Sequence, residues 1–246
     1  MDELFERYQN LIQTRLHHFG RFQAFSEDSI RYDFYYALIQ QFGLLPHNII
    51  LEQPMPDGTF IQREQNNERG RGRHQDKPEF DLRVDAGNNR DYGILAEFAF
   101  FRTPEIAANQ DKTGKLGKIL NEVFRLSLLK HYQNIDNNVR YQNFNEYRCL
   151  LICVTDFDMI NYGAPGVQGP QVNPIADIYT IDNEFIESLR ETARNKIQDK
   201  FRRKAFEELE IIPTANRIYN INTPAHGDFP EWAIWAWEID YVHVIQ

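Results

Sequence analysis

The stretch Lys77–Arg102, KPEFDLRVDAGNNRDYGILAEFAFFR, decides how the chain is read. In its first third, Phe80, Leu82 and Val84 alternate with Asp81, Arg83 and Asp85, the period-two pattern of a half-buried strand. The middle, DAGNNRDYG, is rich in Gly, Asn and Asp, the residues that tolerate turn backbone angles. The last third, Ile94–Phe101, is almost wholly apolar, as expected of a central strand covered on both faces. Glu97 stands in the middle of that run. Burying a lone carboxylate there is costly, so the sequence predicts a cation, a hydrogen-bond network or a proton beside it. Glu79, just before the first strand, reads as a solvent-facing acid.

Outward from this hairpin, the chain alternates helices and strands. Leu4, Phe5, Tyr8, Leu11, Ile12 and Leu16 fall at helical spacing over residues 2–19, with Gly20 as the stop. A second helix begins at Ser26, with Glu27 and Asp28 in its first turn, and runs to Gly43. A short strand, Asn48–Gln53, follows Pro46 and ends at Pro54. Residues 55–62 suggest a small hairpin around Asp57-Gly58. Beyond the central hairpin, a helix is predicted over 111–132. Its apolar stripe is Leu116, Ile119, Leu120, Val123, Phe124 and Leu128, and its other face carries Lys115, Lys118, Glu122 and Arg125. Tyr147–Thr155 is the next buried strand, 157–180 reads as a long loop, and a charged helix is expected over about 183–210. Strands at 217–221 and 232–245 close the chain, the last with Trp235, Trp237, Ile239 and Tyr241 on one face. Those tryptophans read as core or dimer interface before they read as a base-stacking platform. The economical organisation is one α/β domain over residues 1–246.

The 246 residues are 42% hydrophobic and 13% aromatic, enough for a sizeable core and unlike a disordered chain. No apolar run approaches the roughly 20 residues that span a bilayer, and the N-terminus is amphipathic rather than signal-like. Cys149 and Cys153 share strand parity but cannot bridge along one strand, so a reducing, cytoplasmic setting is expected. The formal charge of −9 argues against indiscriminate polyanion binding. Two stretches are nevertheless locally basic. Residues 63–77 hold five Lys/Arg against three acids, and 194–204 hold six against one. The seven histidines show no zinc-ligand spacing, and His74 alone is a candidate for substrate contact.

The order helix–strand–strand–strand–helix–strand, with Asp81 in KPEFDL and Glu97 in LAEFAF, resembles the PD-(D/E)xK nuclease superfamily over roughly residues 25–157. The resemblance implies a restriction-endonuclease-like mixed central sheet flanked by helices, with the helix and strands of 158–246 as a C-terminal elaboration. It implies a metal-dependent nuclease hydrolysing DNA (or RNA) phosphodiester bonds, an endonuclease of restriction or defence type, often a homodimer. Asp81 and Glu97 would hold Mg²⁺ or Mn²⁺, with Glu52 as a third ligand and Glu27, Asp28 or Asp33 as an additional acid. Arg69, Arg71 and Arg73 in the basic loop, and Lys200 and Arg203 in the basic helix, would contact phosphates. The motif's lysine position is Ala99, which carries no charge. Either Lys115, Lys118, Lys77 or Arg102 supplies the cation, or the chain keeps the fold, does not cut, and binds nucleic acid or a protein partner.

Overall fold

A computed structural model describes residues 1–20, 25–55, 79–87, 90–101, 112–132, 144–156, 178–189, 191–224 and 231–244. Two helices lead the chain, the amphipathic α1 (Asp2–Phe19) and α2 (Glu27–Phe42), whose buried face includes Arg31 and Asp33. Ser26 caps α2 by accepting the Ser29 N–H, and Gly43 at φ 62° closes it in the left-handed conformation that favours glycine. Three strands follow, β1 (Ile49–Pro54), β2 (Glu79–Val84) and β3 (Gly93–Phe101). Then come helix α3 (Lys112–His131) and strand β4 (Tyr147–Asp156).

The strands form one seven-stranded mixed sheet in which β1, β2 and β3 are antiparallel neighbours and β4 runs parallel to β3. A parallel pair needs a crossover, and α3 supplies it. Strand β7 (Trp232–His243) pairs antiparallel with β4, then β6 (Ile211–Thr223) with β7, and the short β5 (Ile178–Thr180) with β6. The C-terminal region is therefore continuous with the central sheet.

Alternation along β3 divides the core into two layers. Ile94, Ala96 and Phe98 face α1 and α2, while Leu95, Ala99 and Phe101 face α3 and the C-terminal helices. Trp235, Trp237 and Ile239 fill the second layer as their spacing predicts. Both cysteines are buried free thiols there. Among the described residues, no helix is long and apolar enough to cross a membrane.

Four expectations need correction, the first being that the stretch 157–180, read as a loop, ends in strand β5 at Ile178–Thr180. The single helix over 183–210 is instead three short helices, α4 (Asn183–Ser188), α5 (Glu191–Arg194) and α6 (Asp199–Arg203), with a π-helical turn at Lys204–Glu208. The second and third of these helices pack on α3, and Ile186, Ala193, Ile197 and Phe201 are buried in the same core layer. Strand β6 starts six residues earlier than the 217–221 pattern shows, at Ile211, because β7 pairs with its whole length. Arg83, read as the exposed partner of an alternating strand, is 3% exposed and lies between the rings of Phe144 and Tyr147.

The α5 contact makes Gly117 indispensable. A Cβ there would sit 2.3 Å from the Ala193 carbonyl oxygen and 2.8 Å from Lys196 Cβ. Gly→Ala inside a helix ordinarily gains about 1 kcal/mol. Gly117→Ala is expected to lose about 1–3 kcal/mol instead, because backbone must move to admit the methyl. A urea titration reads the sign directly.

Candidate functional site

Glu97 lies mid-way along β3 on the face that α3 covers, 4% exposed. The cation its burial demands is Arg125 of α3, whose Nη2 lies 3.2 Å from Glu97 Oε1. Arg125 is itself fixed, donating from Nη2 to the Glu79 carbonyl at 2.5 Å and from Nη1 to the Glu122 carboxylate one helical turn back. The Arg125–Glu97 contact is close but not aligned as a hydrogen bond, which leaves Glu97 Oε1 and Arg125 Nε buried without hydrogen-bond partners.

Asp81 stands where the β2–β3 ladder ends. The strands pair at Val84–Ile94, Arg83–Leu95 and Leu82–Ala96, and one further step would set Asp81 opposite Glu97. Instead Asp81 Oδ2 accepts the Phe98 backbone N–H at 2.9 Å, replacing a strand carbonyl as its acceptor. Oδ1 faces Arg31 Nη1 of α2 at 3.3 Å. Arg31 also donates from Nη2 to Glu52 Oε1 at 2.9 Å and to the Asp28 carboxylate. Glu52 itself has φ 52° and is skipped in the β1–β2 register. A left-handed glutamate costs about 1 kcal/mol or more, and such strain concentrates at functional sites.

Six carboxylates (Glu27, Asp28, Glu52, Asp81, Glu97 and Glu122) thus share two guanidiniums, an excess of four negative charges if all ionise. The electrostatic consequence falls on the buried members. Burial pushes Glu97 well above the usual carboxylate range, Arg125 opposes the shift, and Glu122 and Asp81 add to it. Burial likewise raises Glu122 against the pull of Arg125. Glu27 is raised by burial and by Asp81, while Arg31 and a backbone hydrogen bond from Phe100 hold it down.

The sign of the pH dependence follows. These acids bind protons more tightly folded than unfolded, so the folded state holds more protons above the unfolded pKa of about 4.3, and stability falls as pH rises. Denaturant midpoints should therefore decline from pH 5 towards pH 8. The Glu97 contribution, at most about 1.4 kcal/mol per pH unit for one proton, should vanish in Glu97→Gln. An unchanged slope in that variant would remove Glu97 as the source.

The donor set suits a hard divalent cation, being all carboxylate oxygen with one buried oxygen lacking a hydrogen bond. Asp81 and Glu122 are carboxylates whose charges act on Glu97 there. Among the described residues, no three His, Cys, Asp or Glu side chains converge around one point, and Arg31 and Arg125 lie against Asp81 and Glu97.

The remaining candidates separate by position. Asp33 turns to α1 and pairs with Arg15 at 2.5 Å, away from Asp81. Lys115 Nζ lies 5.5 Å from the centre of the Phe101 ring, and its charge is felt by the Cys153 thiol, whose β-sheet neighbour is Ala99. Lys118 is exposed on the same helical stripe. Lys200 caps the Phe201 ring, and exposed Arg203 lies 3.6 Å from Glu207. Both belong to the segment packed on the Gly117, Asn121 and Phe124 side of α3. At about 100° per residue, that side is roughly a third of a turn from the Glu122–Arg125 stripe, so these two cations are not brought to the carboxylates. Arg69, Arg71, Arg73, His74, Lys77, Arg102 and the suggested hairpin over 56–62 lie outside the described residues. Pro54 and Glu79, which flank the basic segment, pair with each other beside Glu52 and Asp81.

Arg83, the nearest arginine to Asp81 in sequence, bonds Asp85 at 2.5 Å. The partners of Asp81 and Glu97 are Arg31 and Arg125. The signal for Arg31 is a charge inside the buried stripe of Ile30, Phe34, Ala37 and Leu38, and that for Arg125 is its i,i+3 pairing with Glu122. No family model, curated protein or solved structure matches this chain.

Proposed function

We propose that this protein is a divalent-metal-dependent nuclease of restriction-endonuclease-like fold, hydrolysing DNA phosphodiester bonds at the Asp81–Glu97 site. The observation that carries the reading is Glu97, a buried mid-strand carboxylate with an oxygen lacking a hydrogen bond, set beside Asp81 where the strands stop pairing. The succession α2, β1, β2, β3, α3, β4 supports the same fold reading.

Asp81, Glu97 and Glu122 would hold Mg²⁺ or Mn²⁺. When bound, such a cation offsets phosphate charge and lowers the pKa of a coordinated water. The Phe98 N–H fixes the orientation of Asp81. Arg125 opposes the upward push that burial gives Glu97. Lys115 places a further positive charge near Ala99. Asp28 and Glu52 are the solvent-facing members of the cluster, at α2 and the β1 edge. The basic segment joined at Pro54 and Glu79 then has phosphate contact as its natural role. A homodimer would allow both strands to be cut.

Incubation of supercoiled plasmid with Mg²⁺ or Mn²⁺, with wild type compared to Asp81→Asn and Glu97→Gln, tests the reading. Metal-dependent cutting by wild type alone is the expected result. A second readout needs no substrate: Mg²⁺ at 100 times its Kd should stabilise wild type by about 2.7 kcal/mol and leave Asp81→Asn unmoved. Ala99 and the two guanidiniums seated on the carboxylates favour a second reading, a silent nuclease-fold protein that binds nucleic acid or a protein partner. Absence of both cutting and metal stabilisation would select it.

A further inference from the structure

We propose that Arg125 is the positioning cation of this site, holding Glu97 from helix α3 in place of the lysine that Ala99 does not provide. The inference rests on the nuclease reading. Glu97 and Ala99 face the same layer, beneath α3. A side chain two residues beyond Glu97 would ordinarily reach along that face, but alanine stops short of it. Arg125 arrives from above with Nη2 3.2 Å from Glu97 Oε1.

Its other contacts explain why arginine is suited to the position. The planar fork bonds the Glu79 carbonyl with one nitrogen and Glu122 with the other, so the charge is held at a fixed point. The Glu79 carbonyl lies two residues before Asp81, so one guanidinium ties β2, β3 and α3 together where both strand carboxylates emerge. Lysine has no such fork. Lys115 lies over Phe101, and Lys118 is exposed, leaving Arg125 as the described cation in contact with Glu97. Arginine stays protonated at every working pH, so its part is electrostatic and orientational rather than that of a base.

The test uses the full chain with Arg125→Ala, Arg125→Lys, Arg125→Gln and Lys115→Ala, read by plasmid cutting, Mn²⁺ calorimetry and thermal melting. Arg125→Ala is expected to lose about 10²-fold in cutting rate, the scale of one preorganised charged contact. Its Mn²⁺ affinity should hold, since the lost group is a cation, and methylguanidinium at sub-denaturing concentration should restore cutting in a saturable way. A merely structural role would instead lower Mn²⁺ affinity together with cutting and would resist that rescue, overturning the proposal. Should Arg125→Ala fail to melt cooperatively, Arg125→Lys is read next, because it keeps the buried charge neutralised. Loss of about tenfold or more there with intact Mn²⁺ binding shows that the fork as well as the charge is required, and wild-type rates show that the charge suffices. The uncharged Arg125→Gln then decides, and wild-type rates in that variant overturn the proposal. If wild type cuts, Arg125→Ala cuts equally and Lys115→Ala does not, the inference fails while the nuclease reading stands. A wild type that cuts nothing sinks both.

Discussion

Glu97→Gln is expected to abolish metal-dependent cutting while making the metal-free protein more stable at pH 8. The substitution is nearly isosteric, so the packing of β3 under α3 survives. It removes a buried negative charge that two neighbouring carboxylates oppose and one guanidinium only partly relieves. Arg125 keeps Glu122 and the Glu79 carbonyl as partners, so no cation is left stranded. A gain on the order of 1–2 kcal/mol is the scale seen when a strained functional group is neutralised. The rate should fall roughly 10³-fold, equivalent to about 4 kcal/mol of barrier. Asp81→Asn should match the loss of rate without the gain in stability, because Asp81 is partly exposed and an amide oxygen can still accept the Phe98 N–H. Cutting assays paired with urea titrations at pH 8 separate the two effects. A Glu97→Gln protein that still cuts at the wild-type rate would move the chemistry away from this site.

Trp235→Ala carries the largest expected cost in stability. Trp235 is fully buried in the α3 layer, beside Cys153 on β4 and Asn220 on β6 in the strand register, with its ring 6.3 Å from that of Trp237. Removing the indole forfeits its burial and leaves a void bounded by three paired strands, which have little freedom to close in. A loss of about 3–5 kcal/mol follows, against a total of about 5–15 kcal/mol for a domain of ordinary stability. The substitution also distinguishes core from stacking platform. A core residue lowers the melting temperature and leaves nucleic-acid affinity unchanged at temperatures where the protein is folded. A stacking residue would do the reverse, and full burial excludes that arrangement here.

The positions of Asp81 and Glu97 were legible because strand patterning is local. Alternation around Asp81 and an apolar run interrupted by one acid identify both residues without any partner in view. The helix α3 and its charged stripe are equally local, since both depend on a 3.6-residue period. Which charges meet is a different kind of fact. Arg31 reaches Asp81 only because α2 packs on one layer of the sheet, and Arg125 reaches Glu97 only because α3 crosses the other. Lys115 and Lys118 share the stripe with Arg125, and sequence offers no reason to rank them. Rotation of α3, set by Gly117 against α5 and Phe124 against the C-terminal turn, puts Arg125 over Glu97. The same rotation leaves the basic run at 194–204 about a third of a turn away from that stripe, although its composition alone made it a phosphate surface. Periodicity is written in neighbouring residues, so the sequence by itself determined α1 to α3, β1 to β4, β7 and the two acids. The breaks over 183–208 and the extent of β5 and β6 depended on what they pack against. Ion pairing depends on how layers stack, so only the tertiary structure decided that each acid answers to an arginine.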